Sequence, residues 1–453
     1  MKDTQRSQNV YTKQQRIAEI ARQRPQERLT ALNHYLDVEW LTEAFHRVRR
    51  KSAPGVDGQT VAQYEEHLEA NLPGLLDRAK SGAYLAPPVK RVYVPKDNGE
   101  SRPIGIPTTE DKVLGRAVVM LLEPIYEEAF YGFSYGFRPG RSAHQALEAF
   151  WQQASMGRVR WVLEVDIRKY FDSVCRKRLF ELISQRIGDG VVLRLISKWL
   201  HAGVMEEGLM HYEPEGTPQG SVLSPLLSNI YLHEVFDCWF AEVVQERMEG
   251  KVFAVRYADD LVMGFTHRSD AERVYRVIFQ RFEKYGLKLH PEKTRLLPFA
   301  RPETVGPDGE GPDEPGTFDF LGFTHYWGKS RKGHWVIKRK TAAKRLRRSL
   351  KAIGDWCRIH RHRGMFDQFR ALVRKLAGQA AQAATSTSYY GITGTGPRLN
   401  QVRTAAVRLW HKWLRRRNRT PGGLTWERMN RLLKETFVFP SARVVHSIYH
   451  AKP

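Results

Sequence analysis

Cysteine is nearly absent from this chain. Cys175, Cys238 and Cys357 are its only three in 453 residues, and they lie far apart. That spacing excludes a CxxC metal knuckle and argues against a disulfide framework, which suits the reducing cytoplasm of a bacterial-type cell. Long apolar runs are missing too. No stretch reaches the roughly 18 apolar residues that mark a membrane-spanning helix. The N-terminus is polar and charged, without the apolar segment of a secretory signal, so no membrane partner is expected. Acidic residues are scarce only at one end. Residues 331–453 hold 29 Lys and Arg against 4 Asp and Glu, whereas residues 1–330 hold 44 against 45. The whole excess behind the net charge of +24 therefore sits in the last quarter. Such asymmetry predicts a polyanion gripped by the C-terminal part. Trp, Leu and Val at helical spacing in that quarter argue for a folded basic region, not a solvated tail.

Against this background one stretch stands out, VFAVRYADDLVMGF at residues 252–265. Apolar residues lead into Tyr257-Ala258-Asp259-Asp260 and apolar residues leave it. Short runs of this kind read as buried strands, so a hairpin carrying Asp259 and Asp260 at its tip is predicted. Two adjacent carboxylates beside a buried sheet repel and desolvate each other unless a cation sits there. A second stretch supplies a third carboxylate. In WVLEVDIRKYF (161–171), Trp161, Leu163, Val165 and Ile167 alternate with Val162, Glu164, Asp166 and Arg168, which predicts a strand ending near Asp166.

The remaining elements follow in order. Helices are predicted from Thr12 to Leu36, over 38–50 and over 60–82, with KSAPGVDG (51–58) as a loop. Residues 89–107 read as a basic hairpin turning at Asp97-Asn98-Gly99, carrying Lys90, Arg91, Lys96 and Arg102. It either closes over a triphosphate or exposes its cations at a sheet edge. After a helix over 110–130, the loop Tyr135-Gly136-Phe137-Arg138-Pro139-Gly140-Arg141-Ser142 leads into a helix at 143–155 that Ser142 is read to cap. Arg138 and Arg141 either contact phosphates or fix that loop. Asp172 or Ser173 is expected to cap a helix at 174–187, followed by helices over 189–203 and 222–240. The loop Gly216–Ser221 stands between those two. A helix at 269–285 precedes a strand over 286–296 with Lys293 close by. A Pro-, Gly- and acid-rich surface loop covers 300–316, and a strand pair with a Gly hinge covers 317–327. Beyond about 330, basic helices are predicted at 341–361, 365–383, 398–417 and 424–436. Leu399, Val402, Ala406, Leu409, Trp410 and Trp413 form an apolar seam there.

Carboxylates on neighbouring strand ends suit phosphoryl transfer, in which positioning and charge stabilisation dominate. A two-metal site holds two divalent ions about 3.5–4 Å apart. Asp166 and Asp259 fit that need, and Asp260 can join the first metal or orient its ligands. Mg²⁺ prefers such oxygen-only, partly hydrated coordination.

These segments match a known pattern. The chain resembles the group II intron-encoded reverse transcriptases, or maturases. The match runs in order through KSAPGVDG, VPKDNGESRPIGIP, SYGFRPGRSAHQAL, EVDIRKYFD, GTPQGSVLSPLLSNIYL, RYADD, GLKLHPEKT and FDFLGF, between about residues 50 and 325. The resemblance implies an α+β right-hand polymerase. Its parts would be an N-terminal helical extension (1–58), fingers (59–160), a palm (161–328, with a finger insertion at about 174–215) and a basic helical thumb or maturase domain (329–453). It implies that Asp166, Asp259 and Asp260, with the carbonyl of Ile167, hold two Mg²⁺ ions. Lys96 and Arg102 look like the pair gripping the incoming triphosphate, Gln219 like the residue packing on its sugar, and Phe171 like the steric gate favouring dNTPs. Arg138, Arg141, Tyr257, Lys293, Leu321 and Gly322 resemble template and primer contacts, and Arg345, Arg348, Arg415, Arg416 and Arg417 resemble RNA contacts of the thumb. The Ala-, Gln-, Ser- and Thr-rich stretch from Gly378 to Ser388 departs from the family's more aromatic pattern.

The expected function is RNA-directed DNA synthesis from a primer 3′ end, with binding of intron RNA to assist splicing and mobility. The expected partners are intron RNA, an RNA template with a DNA primer, target DNA and dNTPs, in a cytoplasmic ribonucleoprotein. No HNH endonuclease is expected, so a primer would come from a nick or a replication fork. Two other readings remain open: a splicing maturase acting as an RNA-binding cofactor, and a reverse transcriptase recruited to phage defence or CRISPR spacer acquisition. An RNA-directed RNA polymerase is disfavoured by Phe171, where such enzymes usually carry Asp.

Overall fold

The computed structural model describes residues 2–95, 101–156, 159–206, 208–211, 216, 220–302, 316–377, 395–417 and 423–439. Helices and largely antiparallel sheets alternate along it. The strands are β1 (Val89–Pro95), β2 (Ser101–Ile106), β3 (Trp161–Val165), β4 (Val204–Glu206), β5 (Leu209–His211), β6 (Val252–Tyr257), β7 (Asp260–Phe265), β8 (Arg295–Pro298), β9 (Phe318–Phe320), β10 (Phe323–Lys329) and β11 (Trp335–Thr341). They form three sheets, in the orders β2-β1-β4-β5, β6-β7-β3-β8 and β11-β10-β9. β1 and β2 pair antiparallel from Lys90↔Ile106 to Pro95↔Ser101, and β4 adds parallel to β1.

The chain divides into two compact units. The first comprises Met1–Ala146, Leu163–Met263 and Arg268–Leu296; the second comprises Leu147–Val162, Gly264–His267 and Leu297–Pro453. The first unit is built around the helix Thr109–Glu127, which is buried along most of its length. Thr108 caps it by accepting from the Asp111 amide. Trp40 lies fully buried beside it and donates its indole N–H to the Ala117 carbonyl at 2.9 Å. In the second unit Phe150, Phe299, Phe318 and His325 pack ring to ring. Below the basic surface of its C-terminal helices, Ala406, Trp410, Leu414, Cys357, Leu372 and Met429 close an apolar core. Leu399 and Val402 of the anticipated seam are buried, and Leu409 and Trp413 pack partly buried against that core.

Several local expectations are corrected. The first helix spans Lys2–Gln23, not Thr12–Leu36. Pro25 disfavours helix in the residue before it. Arg186 then takes the freed carbonyls of Ala21 and Arg24. A short 3-10 turn, Asn33–Tyr35, follows, held by Asp189, whose Oδ2 accepts from the Leu32 and Asn33 amides. The helix over 60–82 is two, Val61–Glu65 and Leu68–Ser81. Neither Asp172 nor Ser173 caps the helix Arg176–Arg186: Cys175 stands at that position without a side-chain bond. The apolar helix beginning at Ser224 widens into π-helical turns at His233–Cys238 and Phe240–Val244. The strand expected over 286–296 is interrupted by a turn after Pro291, so that β8 starts at Arg295. β11 was not anticipated at all; it pairs with β10 from Phe323↔Thr341 to Lys329↔Trp335.

Candidate functional site

Asp166 lies one residue past the end of β3, and its main chain is held from both sides. Its amide donates to the Thr294 hydroxyl at 3.3 Å and its carbonyl accepts from the His290 amide at 2.8 Å. Ile167 bridges Leu289, and the Arg168 amide donates to the Lys288 carbonyl. The turn that breaks the anticipated strand therefore carries Lys293 to the carboxylate: its Nζ lies 3.4 Å from Asp166 Oδ1. Both side chains keep substantial solvent exposure, so this pairing leaves the carboxylate open to a stronger cation.

β6 and β7 are neighbours joined by Ala258 and Asp259 alone. Ala258 adopts a left-handed backbone, φ +55°, which side chains with a Cβ rarely tolerate. Asp260 opens β7 and faces solvent. Burial pushes the Asp259 carboxyl above its ordinary value, and the charge of Asp166 pushes the same way, while Arg102 and Arg256 pull against them. Asp166 and Arg102 thus both lie within electrostatic reach of Asp259, although the three come from separate stretches of chain. Tyr257 is half-buried. Burial, with the charge of Asp260, raises its hydroxyl, and its ring lies 6.5 Å from that of Phe137.

The loop at 133–141 is laid against β6. The Tyr135 amide donates to the Arg256 carbonyl at 2.8 Å and the Arg256 amide to the Phe133 carbonyl at 2.9 Å. A Cβ on Gly136 would collide with the Tyr257–Ala258 peptide, so only glycine lets the loop approach this closely. Of the two roles open to Arg138, phosphate contact or fixing the loop, its bonds here are those of the second. It is buried, grips Glu127 at 2.9–3.1 Å, and donates to the Tyr131 and Ser134 carbonyls. Arg141 is less enclosed. It donates to the Gly132 carbonyl and lies over the Tyr135 ring. Ser142 accepts from the Gln145 amide, as a capping residue should.

Phe171 is half-buried, 5.2 Å from the Tyr170 ring, whose hydroxyl donates to the Ser228 carbonyl. The loop after β5 reaches this segment too: the Gly216 amide donates to the Val174 carbonyl at 2.9 Å. At Gly220 a Cβ would collide with the Gly105 carbonyl of β2. Gln219, between them in sequence, and Lys96, the residue after β1, lie outside the described residues. Leu321 and Gly322 belong to the second unit, where they form the two-residue left-handed turn between β9 and β10, with φ +51° and +81°. Arg345 and Arg348 are half-buried on the helix Ala343–Ile359. Arg415 and Arg416 are exposed, Arg416 lying over the Trp413 ring. The Arg417 guanidinium donates to the carbonyls of Arg361 and Arg363.

Three further residues, Arg256, Asp237 and Asn229, support the hairpin from beneath. All three are buried, and Arg256 binds the other two. An arginine inside an apolar strand was the available signal, since a buried guanidinium demands partners.

The sequence profile of the reverse transcriptase (RNA-dependent DNA polymerase) family matches residues 94–325, a span that contains every carboxylate described above. The chain belongs to the reverse transcriptase family. Among curated relatives of this family member, protein YkfC of Escherichia coli (strain K12) is 40% identical, over 50% of this chain and 67% of its own length. The group II intron-encoded protein LtrA of Lactococcus lactis subsp. cremoris is 37% identical, over 49% of this chain and 37% of its own length. An uncharacterized 91 kDa protein in the cob intron of Schizosaccharomyces pombe is 38% identical, over 36% of this chain and 20% of its own length. The chain thus spans well under half the length of the last two.

Reverse transcriptases generally use divalent metal ions. Among the described residues, no three His, Cys, Asp or Glu side chains already form a metal-holding group. What the first unit offers is Asp259, whose burial and repulsion from Asp166 a cation would relieve, with Asp166 open to solvent beside Lys293. That donor set fits a hard, hydrated cation, which is commonly bound by one or two carboxylates and completed by water and substrate phosphates. No described helix is long and apolar enough to cross a membrane.

Proposed function

We propose that this protein is an RNA-directed DNA polymerase of a group II intron, adding dNTPs to a primer 3′ end on an RNA template, and that it binds intron RNA to assist splicing and mobility. One observation carries the catalytic part: Asp259, at a hairpin tip, feels both the charge of Asp166 from another strand end and that of Arg102, inside a reverse transcriptase sequence. No structural need explains that convergence, because bringing like charges together near a buried sheet costs stability. This favours a polymerase over a purely RNA-binding cofactor. The intron part is supported by the similarity to proteins named for group II and cob introns.

In this reading the right-hand polymerase parts are fingers at 59–160, palm at 161–328 and thumb at 329–453, after an N-terminal extension at 1–58. Asp166, Asp259 and Asp260, with the Ile167 carbonyl, would hold two Mg²⁺ ions. When bound, these supply charge neutralisation at the attacking and leaving oxygens. The protein's own groups do the positioning. Arg102, with Lys96, grips the triphosphate. Gln219 packs on the sugar, and the ring of Phe171 blocks a 2′-hydroxyl. Lys293 moves from Asp166 to nucleic acid phosphate as the site fills. Tyr257, Arg141, Leu321 and Gly322 steady template and primer. Arg345, Arg348, Arg415 and Arg416 meet RNA phosphates. Target DNA is the second nucleic acid partner, and the cytoplasm is the site of action.

Primer extension on an RNA template with Mg²⁺ and dNTPs, comparing wild type with Asp166→Ala, tests the reading. Extension by wild type alone is the expected result. An inert wild type that still binds RNA tightly would move the assignment to a splicing cofactor.

A further inference from the structure

Beneath the carboxylate hairpin lies a buried polar network that the chemistry above does not use. Arg256 is 1% exposed. Its Nε and Nη2 donate to the two oxygens of Asp237 at 2.7 and 2.5 Å, and Asp237 is itself fully buried. Its Nη1 donates to Asn229 Oδ1 at 3.0 Å and to the Ala258 carbonyl at 3.2 Å. Asn229 in turn donates to the Gly136 carbonyl at 2.6 Å. His233 Nδ1 lies 3.7 Å from Asp237, Tyr170 and Asp259 are within electrostatic reach of Arg256, and Tyr131 and Cys238 are within reach of Asp237.

The target of Nη1 gives this network its meaning. Ala258 is the residue before Asp259, and it holds a left-handed conformation that an L-residue does not choose by itself. The Gly136 loop packs against the Tyr257–Ala258 peptide on one side of Ala258. Arg256 holds the Ala258 carbonyl, on the other side, from within. Asp237 is carried by a π-helical turn, an irregularity often found at functional sites. A forked, planar guanidinium can bind Asp237 with one edge while Nη1 reaches both Asn229 and Ala258; a lysine ammonium lacks that fork.

We propose that Arg256 is a positioning residue for Asp259. Anchored on Asp237 and Asn229, it fixes the Ala258 peptide and so aims the carboxylate that follows. This rests on the polymerase reading of Asp259, and the two can fail separately.

Single-turnover primer extension, combined with titration of the active fraction, tests it in Arg256→Lys and Asn229→Ala. Arg256→Lys is expected to slow incorporation per active site by about a hundredfold, the scale of a small misplacement of a catalytic group. The KM for dNTP and the affinity for primer–template should stay within about twofold. Asn229→Ala leaves the Arg256–Asp237 pair intact and should slow incorporation by about tenfold, which keeps the test decisive if Arg256→Lys fails to fold. A reduced active fraction or melting temperature with an unchanged rate per active site would reduce Arg256 to a structural residue and overturn the proposal. A wild type that extends no primer would overturn the polymerase reading, and this assignment with it.

Discussion

The hairpin site and the C-terminal helices use charge in opposite ways. Around Asp259 the charges are few and of both signs, and several are answered by a named partner. Arg256 meets Asp237, Arg138 meets Glu127, and Lys293 meets Asp166. In residues 331–453 the charges are many and of one sign, and most lie on helix surfaces above an apolar core. Buried charge fixes geometry because leaving any member unpaired is costly. Exposed charge of one sign fixes nothing locally, but it creates a field that a polyanion can answer. The first arrangement suits chemistry and the second suits grip.

If the C-terminal fold depends on its core and not on its charges, core truncation should damage it most. Trp410 is fully buried, packs on Phe437 and Phe439, and donates to Gln368 at 2.9 Å. Trp410→Ala should cost about 3–5 kcal/mol in denaturant unfolding. A loss no larger than that of a surface substitution would break the contrast.

A buried acid in the first unit gives the next effect. Burial raises the Asp111 carboxyl to about 6, against the opposing hydrogen bonds from Tyr84 and Trp199. Because the folded value lies above that of the unfolded chain, stability from this group is present below about pH 4 and is lost as pH rises through 6. The shift corresponds to about 3 kcal/mol. Both donors use Oδ1, so Asp111→Asn preserves their acceptor and removes the titration. The variant should match wild type near pH 4 and exceed it at pH 8 in thermal unfolding. Parallel pH profiles would refute this.

The exposed cations should show the smallest effect on stability and a distinct one on binding. Arg415→Glu with Arg416→Glu should leave the melting temperature nearly unchanged. It should lower the slope of log affinity for RNA against log salt by about 1.4–1.8, the counterions two contacts would release. Arg417 is excluded from this test because its guanidinium is spent on backbone carbonyls. An unchanged slope would remove these residues from the RNA surface.

What was legible in the sequence was local. Alternation placed Asp166 at a strand end, the apolar runs placed Asp259 and Asp260 at a hairpin, and helical spacing found the seam around Trp410. What was not legible depends on partners distant in the chain. Pro25 marked the end of the first helix, but that Arg186 would take its last carbonyls and Asp189 the turn after it was not legible. Arg138 and Arg417 sit in stretches that look equally fit for phosphate, and nothing local says that a long side chain will turn inward. Arg256 could be suspected from its apolar neighbours, but Asp237, Asn229 and Ala258 could not be named as its partners without the fold.

The most direct test of the division between chemistry and grip is one variant measured in two ways. Asp259→Ala, in the same preparation, should lose primer extension on an RNA template while keeping wild-type RNA affinity. If its affinity instead falls as far as that of the Arg415→Glu, Arg416→Glu variant, the two roles are not separate and the account fails.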